Sequence, residues 1–326
     1  MRRGLCIVLA LALLPLAWPA PVAVAPAHAS TSLRIAMVLW RGETDGERGF
    51  RNGLEDLGYA AEYVVMNANQ DRAELGRLLR EILAPQLDRL DYVYVFGTTA
   101  TLATKSIVQD RVPIVFNIVA DPVGAGIVRS AEVSGGNIAG VTNEIPLPLQ
   151  IRTARTIVPF TRLGLLFNPR EKNSMLVRDK LAQVAQSLGI EVVDLRSPPA
   201  QDMLQANLQK LRSGAVAVDA VYLPADSFIV SRAKQIGAEL AAAGIKTIAA
   251  LESYIDQGAL LGVVPDYQAL GRAAAGIVHR HQSGERLHDM AVEGDREPVL
   301  KINAATSRAL KVEIPDAIRK RARFVE

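Results

Sequence analysis

The sequence predicts an α/β protein of two doubly wound lobes, each a parallel sheet flanked by helices. Short apolar, β-rich runs alternate with segments whose apolar residues recur at helical spacing, the pattern of βα units that wind a parallel sheet. The alternation resets once, after Val141-Thr142-Asn143, and then repeats. The chain has 326 residues, which suits two domains of about 100–200 residues each.

Residues 33–39 are short, apolar and β-rich, as a strand buried on both faces is. Residues 50–57 predict a helix closed by Gly58. Residues 63–66 are the next strand, and 71–83 a helix with Leu75, Leu78, Leu79 and Ile82 on one face. Strand 92–96, helix 99–108 and strand 113–116 complete the first set. The second set is helix 147–157, strand 163–167, helix 174–188, strand 192–195, helix 200–211, strand 220–223, helix 229–243 and strand 247–250. Residues 259–263 read as an edge strand, followed by helix 267–279, strand 299–302 and a short tail helix. These last elements read as returning to each half rather than forming a third domain. Lobe 1 is then expected at 30–143 plus about 266–293, and lobe 2 at 144–265 plus about 294–326. Lobes joined by several crossings make a hinged clamp with ligand at the strand C-termini.

Residues 1–29 predict a secretory signal peptide: Arg2 and Arg3, an apolar stretch over 5–18, then Ala27-His28-Ala29 as the cleavage motif. Pro15, Pro19, Pro21 and Pro26 interrupt any membrane anchor. Cleavage after Ala29 gives an exported, periplasmic protein. It also removes two arginines and the chain's one cysteine, so the formal net charge of +3 falls almost to balance. No nucleic-acid partner is expected, and thiol catalysis and Cys-metal sites are excluded. A monomer is expected.

The chain has no GxxxxGK[ST], GxSxG, HExxH or GxGxxG motif. His279, His281 and His288 lie within ten residues; they could hold a metal, but a solvated helix end accounts for them, and neither metal nor cofactor is expected. The remaining polar candidates sit at strand ends. Gly97-Thr98-Thr99 opens a helix, either as an anion site built from backbone N–H groups or as ordinary capping by Thr98 or Thr99. Asn168-Pro169 with Asn173 and Ser174 is the same device in the second half. Asp226-Ser227 offers a carboxylate that either caps the next helix or holds an ammonium. Asp121-Pro122 is a strand-end acid or a turn former, and Trp40 walls a ligand or packs in the core. No nucleophile–base set emerges, which favours binding over catalysis.

Gly97-Thr98-Thr99-Ala100-Thr101, the block Asp121-Pro122-Val123-Gly124-Ala125-Gly126, Gly135-Gly136-Asn137-Ile138-Ala139-Gly140-Val141 and the tail from Ile302-Asn303 to Glu326 resemble the ABC transporter substrate-binding proteins of the tryptophan/tyrosine-binding type. The resemblance spans the mature chain. It implies the type 1 periplasmic binding protein fold: two Rossmann-like lobes, a three-crossover hinge, and an amino acid held between the lobes for an ABC permease with its ATPase. By motif, Thr98 and Thr99 would meet the ligand carboxylate, Asn173 and Ser174 would add contacts, Asp226 would face the amino group, and Asp121 and Asn143 would lie at the cleft floor or hinge. Two departures bear on ligand choice: Asp226-Ser227 where relatives often have Asp-Asn, and the charged loop Trp40-Arg41-Gly42-Glu43-Thr44-Asp45. The expected function is importer-linked capture of an amino-acid-like ligand, aromatic first. A ligand sensor for a signalling receptor and an exported α/β enzyme are the alternatives.

Overall fold

The computed structural model describes residues 32–199 and 201–326; the predicted leader and its cleavage point lie outside the described residues. Strands β1 (Ser32–Leu39), β2 (Ala60–Asn67), β3 (Tyr92–Phe96), β4 (Ile114–Val119) and β5 (Ile138–Thr142) pair in parallel in the order β2-β1-β3-β4-β5. Strands β6 (Arg162–Phe167), β7 (Glu191–Arg196), β8 (Ala220–Leu223), β9 (Lys246–Ala249) and β10 (Leu261–Val264) repeat that order as β7-β6-β8-β9-β10. The two sheets therefore reverse direction at equivalent points, between β1 and β3 and between β6 and β8, where open α/β sheets leave a crevice for ligand.

The chain passes between the sheets three times, at 143–146, 265–266 and 295–298. In the tail, β11 (Glu293–Gly294) adds to β5, β12 (Val299–Asn303) pairs antiparallel with β10, and β13 (Arg323–Val325) pairs with β12. The expected edge strand at 259–263 is thus an interior strand, because β12 covers its outer side.

Helices α1 (Asp45–Asp56), α2 (Arg72–Leu78) and α3 (Thr98–Val108) belong to the first sheet's windings. Helices α4 (Leu147–Arg155), α5 (Lys172–Ser187), α6 (Gln201–Arg212), α7 (Ser227–Val230), α8 (Ala233–Ala242) and α9 (Glu252–Asp256) belong to the second, and α10 (Tyr267–Gln282) returns to pack on α1. That return needs glycine: a Cβ on Gly49 would run into the Gln268 carbonyl, and one on Gly271 into that of Gly46. Alternation along the second sheet splits its core in two: Leu165, Phe167 and Tyr222 face one side, Leu166, Val221 and Leu223 the other.

Several boundaries differ from the sequence reading. Helix α1 begins at Asp45 rather than 50, because Thr44 and Glu47 form a reciprocal capping box. The helix expected over 71–83 gives way to a π turn at Leu79–Leu83, and a 3-10 turn begins at Ala84 with Pro85 in its first turn. The helix expected over 229–243 breaks at Arg232 into α7 and α8. Strand β5 carries Gly140, where any Cβ would strike the Phe116 carbonyl; that close approach hid a strand whose sequence lacks a continuous β-rich run.

Candidate functional site

The crevice edges are populated by the residues that end the switch-point strands: Trp40 after β1, Gly97-Thr98 after β3, Asn168 after β6 and Ala225-Asp226 after β8. The lobes are closed on one another. Arg72 Nη2 donates to the Arg170 carbonyl at 2.7 Å, Lys172 Nζ to the Ala125 carbonyl at 2.9 Å, and Lys180 Nζ pairs with Asp121 at 2.8 Å.

Between the walls lies a narrow slot, with a cavity of only about 30 Å³ while the lobes are closed. Trp40, Arg41, Phe96, Thr98, Thr99 and Ile118 form the lobe 1 wall. Glu171, Asn173, Ala225, Ser227 and Leu251 form the lobe 2 wall, with Asn143 and Tyr267 beside the crossovers. Three buried polar atoms of residues at this slot have no partner among the described residues: Trp40 Nε1, Arg41 Nε and Asn143 Oδ1. Buried polar atoms are nearly always satisfied, so three at one cavity mark a place for a ligand's acceptors and donors. The Arg41 guanidinium lies over the Phe96 ring at 5.2 Å and makes no ion pair among the described residues.

The lobe 2 wall has the opposite character. Glu171 accepts from the backbone N–H of Ser227 at 3.1 Å and of Phe228 at 3.3 Å. Asp226, fully buried, accepts from the next N–H, that of Ile229, at 3.0 Å, and from Asn168 N at 2.7 Å and Ser174 Oγ at 2.6 Å. Two carboxylates thus converge on one short helix start, and neither has a cationic partner among the described residues. Burial first, then the neighbouring Glu171 charge, push the Asp226 carboxyl up to about 8. The facing Tyr254 hydroxyl donates to the Pro224 carbonyl at 2.9 Å, and burial holds its proton tightly.

Of the nine residues proposed from sequence, Trp40, Thr98, Thr99, Asn143, Asn173 and Ser227 line the slot. Asp121, Ser174 and Asp226 do not. Asp226 does not line the slot and its oxygens are taken by the α7 cap, Asn168 and Ser174, whereas Glu171 lines the slot. Ser174 is spent on Asp226. Asp121 caps its own turn through Gly124 N at 2.7 Å and pairs across the lobes with Lys180. The α3 cap is Gly97, at φ +85°, and neither threonine; the Thr98 and Thr99 side chains are not used for capping. Asn173 likewise does not cap α5, whose cap position is Glu171; its Nδ2 donates to the Ala225 carbonyl at 2.6 Å.

Sequence reasoning missed Phe96, Ile118, Glu171, Leu251 and Tyr267, and noted Arg41 only as a charge near the cleft. An acid at a helix start reads as a cap, which concealed Glu171. Ile118 takes φ +57°, unusual for a β-branched residue, where the β4–β5 register shifts; its N–H donates to Oδ1 of the preceding residue, Asn117, at 2.9 Å. Nothing in the local sequence signals that conformation. The histidines have separate partners: His279 with Tyr59, His281 with Tyr92 and His288 with Asp289.

Residues 37–326 match the family model described as ABC transporter substrate binding protein, and the chain belongs to that family. A tyrosine-binding protein of Clostridioides difficile is 28% identical over 272 residues, 82% of this chain and 76% of that protein. Among solved structures, an ABC domain in complex with L-Trp from Streptococcus pneumoniae superposes with a TM-score of 0.82 at 22% identity, over 91% of this chain and all of that one. The ligand-free, open form of a substrate-binding protein from Clostridium difficile gives 0.70 at 22% identity, over 90% of this chain and 99% of that one.

Proposed function

We propose that this chain is the capture subunit of an ABC importer working outside the cytoplasmic membrane, and that it takes an L-amino acid, an aromatic one first, between its lobes. The observation that carries the reading is the polarity of the slot. Unpartnered donors, Trp40 Nε1 and Arg41 Nε, stand on one wall, and an acid without a cation, Glu171, stands on the other. A zwitterion matches both at once: its carboxylate meets Arg41 and the Thr98-Thr99 turn, and its ammonium meets Glu171, with Asn143 Oδ1 as a further acceptor. Buried charges require such pairing, since each left alone in a low-dielectric site carries a large desolvation penalty.

The aromatic preference rests on Trp40, Phe96 and Tyr267 around the slot and on the family's tyrosine- and L-Trp-binding members. The exported location rests on the leader pattern of residues 1–29. Capture is a population shift. Ligand lands on an open clamp and favours closure through the contacts that only the closed lobes make, added to those of Arg72, Lys172 and Lys180. The test is calorimetric titration of the mature protein with the twenty L-amino acids. Saturable binding of tyrosine, tryptophan or phenylalanine is expected; no heat with any amino acid overturns the reading.

A further inference from the structure

One residue of the lobe 1 wall holds a backbone conformation that its own side chain disfavours. Ile118 takes φ +57°, in the left-handed region that β-branched residues rarely enter. It stands in a β-bulge at the slot end of β4. Phe116 pairs with Gly140 and Val119 with Thr142, so three steps along β4 span two along β5. Bulges bend a strand and re-aim its side chains, and glycine is the usual occupant of a left-handed bulge position. Here an isoleucine occupies it and lines the slot. A residue persists in such a region only where its surroundings hold it there.

What holds Ile118 is a buried chain of hydrogen bonds that runs to Glu47. The Ile118 N–H donates to Asn117 Oδ1 at 2.9 Å. With that oxygen committed, Asn117 Nδ2 donates to the Tyr94 hydroxyl at 3.0 Å, and the Tyr94 hydroxyl donates to Glu47 Oε1 at 2.7 Å. The other Glu47 oxygen accepts from the N–H and the hydroxyl of Thr44, both at 2.7 Å. Each link donates towards Glu47, so the carboxylate ends the chain and fixes its direction. The Asn117 carbonyl also accepts from Gly97 N at 3.0 Å, so one residue holds two neighbours that line the slot. The first turn of α1 backs the arrangement: a Cβ on Gly46 would lie 3.3 Å from Asn117 Nδ2 and 3.5 Å from Ile118 Cγ1. Glu47, Tyr94 and Asn117 are fully buried, and none of them lines the slot.

We propose that Glu47 is a positioning residue for the slot: through Tyr94 and Asn117 it locks Ile118 left-handed, so that the lobe 1 wall is set before ligand arrives. The role in binding rests on the amino-acid reading given above. A preset wall need not be ordered at the moment of binding, and one that relaxes lowers affinity.

Tyr94→Phe removes the hydroxyl that joins Asn117 to Glu47. In the ligand-free protein the Ile118 amide should then exchange with solvent at least about fivefold faster. Calorimetry with L-tyrosine and L-tryptophan should show the Kd raised by roughly 5- to 20-fold. Glycine enters the left-handed region freely, so in an Ile118→Gly background the same Tyr94→Phe change should alter the Kd by less than about twofold. A network that only stabilises the lobe would lower affinity alike in both backgrounds, and equal losses overturn the assignment. An Ile118 amide that exchanges at the wild-type rate overturns it too. Asn117→Ala cuts the next link and takes the place of Tyr94→Phe, in the same two backgrounds, if that variant fails to fold. A wild type that binds neither amino acid overturns the amino-acid reading, and the exchange rate of Ile118 then decides the Glu47 chain by itself.

Discussion

The two walls of the cleft are built by the same topology and finished in opposite ways. In lobe 1 the switch-point strands end in Trp40 and Arg41 and in a glycine-capped helix without a side-chain cap, and Trp40 Nε1 and Arg41 Nε have no partners among the described residues. In lobe 2 the equivalent positions carry Asn168, Glu171 and Asp226, whose oxygens are occupied by three successive N–H groups of α7, an amide and a hydroxyl. Among the described residues, the donors Trp40 Nε1 and Arg41 Nε lack an acceptor, and Glu171 and Asp226 lack a cation. A repeated fold has thus been given complementary chemistry, and a molecule that answers only one wall leaves the other unpaired when the lobes close.

The sharpest way to break this contrast is at Glu171. Glu171→Gln should weaken amino-acid binding by roughly 100-fold or more, because it strands the ligand's buried ammonium; calorimetry showing unchanged affinity would move the ammonium elsewhere. On the other wall, Arg41→Met keeps the stem's volume over Phe96 and removes the charge. We expect a loss of roughly 10- to 100-fold in affinity with little change in melting temperature. Asp226 should behave differently from both. Its folded-state pKa lies above its unfolded value, so folding binds a proton and the associated stability is full below about pH 4 and lost as pH rises through about 8. Melting temperatures of the ligand-free protein between pH 5 and 8 should fall for this reason, and Asp226→Asn should flatten the slope. An identical slope in the variant would assign the pH dependence to another group. The smallest effect belongs to the closure contacts: Lys180→Ala removes a half-exposed ion pair across the lobes and should weaken binding only about two- to fivefold.

The architecture was legible in the sequence because doubly buried strands such as residues 92–96 and 163–167 advertise themselves as apolar runs. The positions of Trp40, Thr98, Thr99, Asn143, Asn173 and Ser227 at the slot were legible too, since strand ends and family motifs name them. What the sequence hid is which of the two acids lines the slot. Asp226 and Glu171 are both acids near a helix start, and only packing decides that Asp226 turns inward to Ser174 while Glu171 reaches the slot. The capping box at Thr44 and Glu47 is written in the sequence as a Thr-x-x-Glu signature and was still passed over. The left-handed Ile118 and the interior placement of β10 depend on neighbours far along the chain, on Asn117 held by Tyr94 and on the tail strand β12.

The complementary-wall account is tested most directly by titrating the mature protein with L-tryptophan, with its amine analogue lacking the carboxylate, and with its acid analogue lacking the ammonium. If each wall pairs one end of a zwitterion, both truncated molecules bind roughly 100-fold or more weakly than the amino acid. Binding of either analogue within about threefold of L-tryptophan would contradict it.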